Sequence, residues 1–431
     1  MKFNELDLPE EVLKGIAEEG FTELTPVQEE SIPLALKGTD VAAQAQTGTG
    51  KTAAFLISLF TRLLKSGRST SNNPRALIMA PTRELVVQIV EDAKGLGGHC
   101  PLKVQAIFGG MDYDKQRQAL RAGVDIIVAT PGRLIDYAKQ RVFSFDRIEA
   151  LVIDEADRMF DMGFIKDLRY ILRKLPPFEK RQTMLFSATL SPRVMELAYE
   201  FMNLAEKVQI EPEQVTAERV EQILYHAGRR EKFPLLLGLL RKEGEGAERV
   251  LLFVNTKKEA EHLTDRLKAN DFKAAVISGD IAQNKRMRIL SDFKEGRLTF
   301  LVATDVASRG IHVEGVTHVV NYDLPQDPED YVHRIGRTAR AGALGKAISF
   351  ADEDMVFHLP DIEEYIGHKI PSAFPEEGDF CWNYKRSAPR KKAPIPEKAS
   401  GPEKKRHRRP PRRKGDGQKR GMPAGGKPPK A

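Results

Sequence analysis

Ten short apolar runs separated by helical stretches constrain this chain more than any other feature of its sequence. RALIMA, KVQAIF, DIIVAT, ALVID and TMLFSAT fall in the first half, and RVLLFV, KAAVIS, TFLVAT, THVVNYD and KAISFA in the second. Each is too short for a helix, and many run at once into Gly, Pro, Asp or Thr, where a strand hands over to a loop. Strands alternating with helices build parallel sheets covered on both faces, so the expected class is α/β. The halves also echo one another. RALIMAPT from Arg75 aligns with RVLLFVNT from Arg249, and Val128-Ala-Thr130 with Val302-Ala-Thr304, both at an offset of 174 residues. Two matches at one offset imply two copies of one fold, although apolar strands also resemble each other by composition alone. The polar stretch from Glu206 to Glu218 is the expected joint.

A length of 431 residues with 41% hydrophobic content is enough for real cores, which excludes wholesale disorder, collagen and a disulfide scaffold. Two distant cysteines, Cys100 and Cys381, suit a reducing compartment. The longest clear apolar run, Ala53 to Phe60, falls far short of the ~20 residues a membrane helix needs. The start MKFNELDLPEE has no signal-peptide core, and the expected location is the cytoplasm, with no membrane partner. Charge divides the chain more sharply than its sum of +7 indicates. Residues 385–431 carry 18 Lys and Arg against 3 acidic residues, leaving 50 basic and 58 acidic residues of the totals 68 and 61 in the body. Nine prolines and no aromatic residue fall in that tail, so it is expected to be disordered. It reads as an electrostatic arm for a polyanion, or as a solubilising extension.

The segment Ala45-Gln-Thr47-Gly48-Thr49-Gly50-Lys51-Thr52 lies between a short strand and a helix start. Ala45 stands where a general phosphate loop has its first glycine. Gly48 and Gly50 still let backbone N–H groups approach phosphates at the positive end of a helix. Lys51 suits the β and γ phosphates, and Thr52 a magnesium ion. Downstream, Asp154-Glu155-Ala156-Asp157 closes an apolar strand. Asp154 suits the metal side and Glu155 a base for the attacking water, while acidic pairs at strand ends also serve as helix caps.

Together with its neighbours, that tetrad resembles the DEAD-box RNA helicases, over nearly all of residues 3–371. Phe21-Thr-Glu-Leu-Thr25-Pro-Val-Gln28, with Phe3 upstream, is similar to the family's adenine-reading motif. Pro81-Thr82-Arg83-Glu84-Leu85, Gly109-Gly110, Thr130-Pro-Gly132-Arg133, Ser187-Ala-Thr189, Gln283-x-x-Arg286, Thr304-Asp305 and His333-Arg-Ile-Gly-Arg337-Thr-Ala-Arg340 follow in the family's order. The resemblance implies two tandem RecA-like domains, residues 1–208 and 218–372, then the basic tail, 385–431. It implies ATP and Mg2+ as ligands and single-stranded RNA as partner. Phe21 would stack on adenine, with Thr25 and Gln28 reading its edge, and the loop Thr47 to Thr52 would hold the phosphates. Lys51, Asp154, Glu155 and the arginine fingers Arg337 and Arg340 would carry catalysis, with Thr52 and Asp154 on the metal. Asp157, Ser187 and Thr189 would couple the nucleotide site to closure. Pro81, Thr82, Arg83, Gly110, Thr130, Gly132, Arg133, Arg286 and Thr304 would hold RNA by its backbone, without base specificity.

Two departures stand out. His312 replaces the family's ribose-contacting Asp, and Ala339 a glycine between the fingers. His312 and the segment from Leu359 to Pro371 are similar to a bacterial subtype acting in RNA turnover, beside an endoribonuclease of a degradosome. A cold-shock or ribosome-assembly subtype is the alternative. The activity expected is local, non-processive unwinding of short RNA duplexes by a monomeric body. An ATP-gated RNA clamp or annealing chaperone is the competing reading. Irregularly spaced histidines make no metal cluster, and Arg229-Arg-Glu-Lys-Phe233 reads as a solvated stretch.

Overall fold

The computed structural model describes residues 1–46, 48–67, 71–210, 220–279, 281–308, 315–338 and 345–387. Thr47, His312, Ala339, Arg340 and the tail beyond Ser387 lie outside the described residues.

Two seven-stranded sheets organise the chain. The first contains β1 (Val41–Gln44), β2 (Ala76–Met79), β3 (Val104–Ile107), β4 (Ile126–Ala129), β5 (Ala150–Ile153), β6 (Gln182–Ser187) and β7 (Glu206–Gln209), in the order β3-β4-β2-β5-β6-β1-β7. The second contains β8 (Val220–His226), β9 (Val250–Phe253), β10 (Ala274–Ile277), β11 (Phe300–Ala303), β12 (His318–Asn321), β13 (Gly345–Ala351) and β14 (Ser372–Ala373), in the order β10-β11-β9-β12-β13-β8-β14. With seven subtracted from each label, the second order is the first, and every pairing among the described residues is parallel. Ala76 opens β2 and Val250 opens β9, at the offset of 174 residues seen in the sequence.

Period-two alternation explains why both faces need helices. Along the first sheet Ile78, Val128 and Val152 enter one apolar cluster while Leu77, Ile127 and Leu151 enter another. In the second, Val250 and Leu252 face away from Leu251 and Phe253 in the same way. Each such fully buried side chain contributes roughly 1.5–3 kcal/mol.

The structure corrects three sequence expectations. Glu206–Gln209 is an edge strand of the first sheet, paired with β1, rather than part of a joint. Only Val208 of its four residues is buried, so no alternation betrays it. Val220–His226, absent from the ten runs, is a strand beside β13. Lys232 and Phe233, read as solvated, are buried in the first turn of the helix Lys232–Glu243.

Residues 376–385 form a strap over that helix. A Cβ on Gly238 would lie 1.8 Å from the Asp379 carbonyl oxygen, so only glycine allows the crossing. The Cys381 N–H donates to the Pro234 carbonyl at 3.0 Å, and Tyr384 meets the Phe233 ring edge-on at 5.1 Å. Asn270 then grips Lys385 through both backbone groups, at 2.9 and 3.0 Å. Trp382 stacks on Phe380 with its ring half exposed, and both cysteines are free thiols. No helix among the described residues is long and apolar enough to cross a membrane.

Candidate active site

Most of the described side chains singled out from the sequence lie at the carboxyl ends of the parallel strands, where loops enter helices and helix dipoles favour anions. After β1, Gly48 and Gly50 adopt φ of +88° and +91°, and the helix Lys51–Lys65 begins at once. Glycine at 50 is required twice over, by its left-handed backbone and by its neighbours. A Cβ there would lie 2.5 Å from Gln28 Nε2 and 3.0 Å from Thr25 Oγ1. Gln28 fixes this approach, accepting from the Thr25 N–H at 2.9 Å and donating to the Gly50 carbonyl at 3.1 Å. Its amide therefore spans the two loops. Thr25 and Gln28 form a capping box at the start of the helix Pro26–Leu36. Phe21 presents an exposed ring before the helix Pro26–Leu36, whereas Phe3 is buried in the core. Thr49 closes the loop by donating to the Gln46 carbonyl at 2.8 Å, and Thr52 is half-buried in the first helical turn.

Lys51 is 6% exposed, and its amine has no hydrogen-bond partner among the described residues. Asp154, which follows β5, is 2% exposed. Burial pushes its carboxyl up to about 6 against the lowering pull of Lys51, while Glu155 and Asp157 raise it further. One oxygen accepts from the Glu155 N–H at 2.9 Å. Glu155 holds a left-handed backbone with φ +48°, a conformation that costs an L-residue about 1–2 kcal/mol. A buried amine and a buried carboxylate, neither neutralised by a close partner, fit a triphosphate carrying a divalent cation.

Asp157 is a junction. One carboxylate oxygen accepts from the backbone N–H groups of Ala188 and Thr189, both at 3.1 Å, and its own N–H donates to Ser187 Oγ at 3.1 Å. Thr189 takes part through its backbone rather than its hydroxyl. Arg337 is 9% exposed and donates to the His333 carbonyl at 3.2 Å.

The remaining loops follow β2, β3, β4 and β11. Thr82 caps the helix Arg83–Leu96 by accepting from the Leu85 N–H at 3.3 Å, beside the buried Pro81. Gly110, at φ +85°, admits Arg83, whose guanidinium a Cβ would meet at 2.5 Å. Thr130 precedes the helix Pro131–Lys139, Gly132 faces open space, and Arg133 stacks over the Tyr113 ring at 4.9 Å. Thr304 is buried at the end of β11. The segments that carry Arg83 and Arg286 meet through Glu84 and Gln283. Arg83 donates to Gln283 at 3.3 Å, and Glu84 accepts from Arg286 at 2.5 Å and from Gln283 at 3.0 Å.

The DEAD/DEAH box helicase family model matches residues 25–197, and the helicase conserved C-terminal domain matches residues 231–342. With Asp154, Glu155, Ala156 and Asp157 at the heart of the first match, the assignment is decided.

The chain belongs to the DEAD-box helicases.

It is 54% identical over 372 residues to the ATP-dependent RNA helicase RhlB of Idiomarina loihiensis, covering 86% of this chain and 87% of that one. The RhlB protein of Xanthomonas axonopodis is also 54% identical, over 373 residues, and the match spans 65% of its length. A structure of S. cerevisiae Dbp5 bound to RNA and ADP BeF3 superposes with TM-score 0.76 at 32% identity, covering 86% of this chain and 95% of that one. RhlB is the bacterial subtype that His312 and the Leu359 segment resemble.

Sequence reasoning about this DEAD-box helicase missed three side chains. Arg334 is 1% exposed and fans across the second sheet, to Asp305 at 2.6 and 2.7 Å, the Asp323 carbonyl at 2.6 Å and Asn255 at 3.1 Å. Glu84 neutralises Arg286, which was expected on RNA, and Lys232 closes an ion triad with two acids. Arg334 and Glu84 stood inside quoted motifs, but nothing in a motif distinguishes a residue that touches ligand from one that holds the loop.

Proposed function

We propose that this DEAD-box helicase binds single-stranded RNA along the loops following β2, β3, β4, β10 and β11, and separates short duplexes locally, coupled to ATP hydrolysis. The observation that supports it most is the pair Lys51 and Asp154, buried and unneutralised where β1 and β5 give way to the following loops. Phe21, Thr25 and Gln28 orient adenine. The loop Thr47 to Thr52 receives the phosphates, Lys51 meeting the terminal ones. Thr52 and Asp154 would hold Mg2+, which when bound would supply positive charge to offset that of the phosphates. Among the described residues no cluster of three acids, histidines or cysteines could hold a metal, so such an ion would complete its shell with phosphate and water. Glu155, held in a left-handed backbone, accepts a proton from the attacking water. Arg337 and Arg340 stabilise charge on the transferring phosphoryl group from the second sheet, which makes turnover depend on closure.

RNA is held by Pro81, Thr82, Arg83, Gly110, Thr130, Gly132, Arg133, Arg286 and Thr304 through sugar and phosphate. Asp157, with Ser187 and Thr189, transmits the state of the phosphate site to those loops. We assign residues 1–208 and 218–372 as the two domains, RNA turnover in the cytoplasm as the process, an endoribonuclease of a degradosome as the protein partner, and a monomeric body. The test is steady-state ATP hydrolysis at one salt concentration without nucleic acid, with single-stranded RNA and with DNA of the same sequence. Stimulation by RNA alone is expected, and equal rates in all three would overturn the reading.

A further inference from the structure

Arg158 follows the tetrad directly and lies in the short helix Ala156–Asp161. It is 8% exposed, and no role in the motifs above falls to it. Its guanidinium reaches across to the second sheet's helix Pro328–Ile335, 3.7 Å from the Asp330 carboxylate, and stands 4.0 Å from Asp161 on its own side. Asp330 lies three and four residues before His333 and Arg334, so the three share one helical face. Arg337 comes one turn later and is tied back to that face through the His333 carbonyl. Arg158, Asp330, His333 and Arg337 line one narrow cleft.

The charges around this contact make Arg158 matter beyond a single pair. Asp157 and Asp161 edge one side, and Asp327, Glu329 and Asp330 the other. Burial pushes the Glu329 carboxyl up, Asp327, Asp161 and Asp157 raise it further, and Arg158 pulls it down. Without the guanidinium, two acidic edges would face each other, and like charges at a partly buried interface repel strongly.

We propose that Arg158 is a positioning residue that latches the tetrad to the arginine-bearing helix through Asp330, setting how closely Arg337 approaches the phosphate loop. The inference rests on the helicase reading above and names a determinant of closure within it. Because Asp157 is anchored to Ala188 and Thr189, the latch joins the junction of the first sheet to the finger of the second in one rigid step.

The test compares the full-length wild-type protein with Arg158→Glu, Asp330→Arg, the double variant and Arg158→Lys, in ATP hydrolysis with and without single-stranded RNA, alongside thermal melting. Each charge reversal should lower RNA-stimulated kcat on the order of tenfold or more while the KM for ATP stays within about threefold. The double variant should recover most of the loss, and Arg158→Lys should fall between. A double variant no better than the worse single one, or single variants that turn over like wild type, would overturn the latch. So would a loss of turnover that tracks a lowered melting temperature and is not relieved in the double variant. The wild-type arm alone reports on the helicase reading. If RNA failed to stimulate it, the same comparison on RNA-free turnover would still decide the latch.

Discussion

Lys51 and Lys232 occupy the same place in the two sheets: each opens the helix that follows its sheet's first strand, β1 or β8. Both are buried, at 6% and 2% exposure. Lys232 spends its charge inside the protein, on Asp323 at 2.6 Å and Asp352 at 2.9 Å, with the Tyr322 ring 4.7 Å away. Lys51 has no such partner among the described residues, and the carboxyl that feels it most clearly, Asp154, is itself pushed up by burial. One copy of the fold has closed this position into structure, and the other leaves the amine without a partner among the described residues, as the proposed phosphate site requires. Desolvating a charge without pairing it is unfavourable for folding, so the open copy holds back stability that the proposed triphosphate would return on binding.

The largest break in this comparison should come from chemistry. Glu155→Gln should lower turnover by about 10²–10⁴-fold while ATP and RNA binding, followed by fluorescence titration, persist. Survival of turnover would remove Glu155 from its assigned role. Next comes the lysine pair itself. Lys232→Met leaves Asp323 and Asp352 buried without their cation and should cost about 3–5 kcal/mol in denaturant unfolding. Lys51→Met should change stability by no more than about 1 kcal/mol while abolishing turnover, and equal losses in the two variants would erase the distinction.

The carboxyl side of the open copy gives a pH test. The Asp154 carboxyl sits at about 6, above its ordinary value of 3.8, so the native state holds this proton more tightly than the unfolded chain. Its contribution to stability is complete below about pH 4 and is lost as pH rises through 6. Asp154→Asn, melted without nucleotide, should therefore gain on wild type above about pH 6, by at most about 3 kcal/mol, and lose that advantage near about pH 4. A gain independent of pH would mean that the carboxyl is ionised throughout. The smallest effect belongs to two equivalent caps. Thr82 accepts from Leu85 at 3.3 Å and Thr256 from Glu259 at 3.1 Å, 174 residues apart. Each Thr→Ala should cost about 1 kcal/mol, and only the Thr82 variant should also weaken RNA stimulation.

All ten apolar runs became strands because buried parallel strands are continuous apolar segments, and continuity is visible locally. β7, β8 and β14 escaped because they lie toward one edge of a sheet, where burial alternates or nearly vanishes. The glycine turn before Lys51 and the tetrad at the end of β5 were legible for a similar reason, since each is a local backbone device. Lys232 was not, because its partners lie 91 and 120 residues away and its own neighbours are charged. Glu84 and Arg286, 202 residues apart, likewise meet only in the tertiary structure.

The strap over the helix Lys232–Glu243 gives the two sheets different places in time as well as in space. The first sheet is complete in sequence at Gln209, and every strand it needs has been synthesised by then. The second cannot cover Phe233 until Phe380, Cys381 and Tyr384 have been made, and β14 arrives only at Ser372. During vectorial synthesis the first sheet therefore has its full complement of strands while the other still shows an apolar helix face, the interval in which a nascent chain of this kind is most open to misassembly.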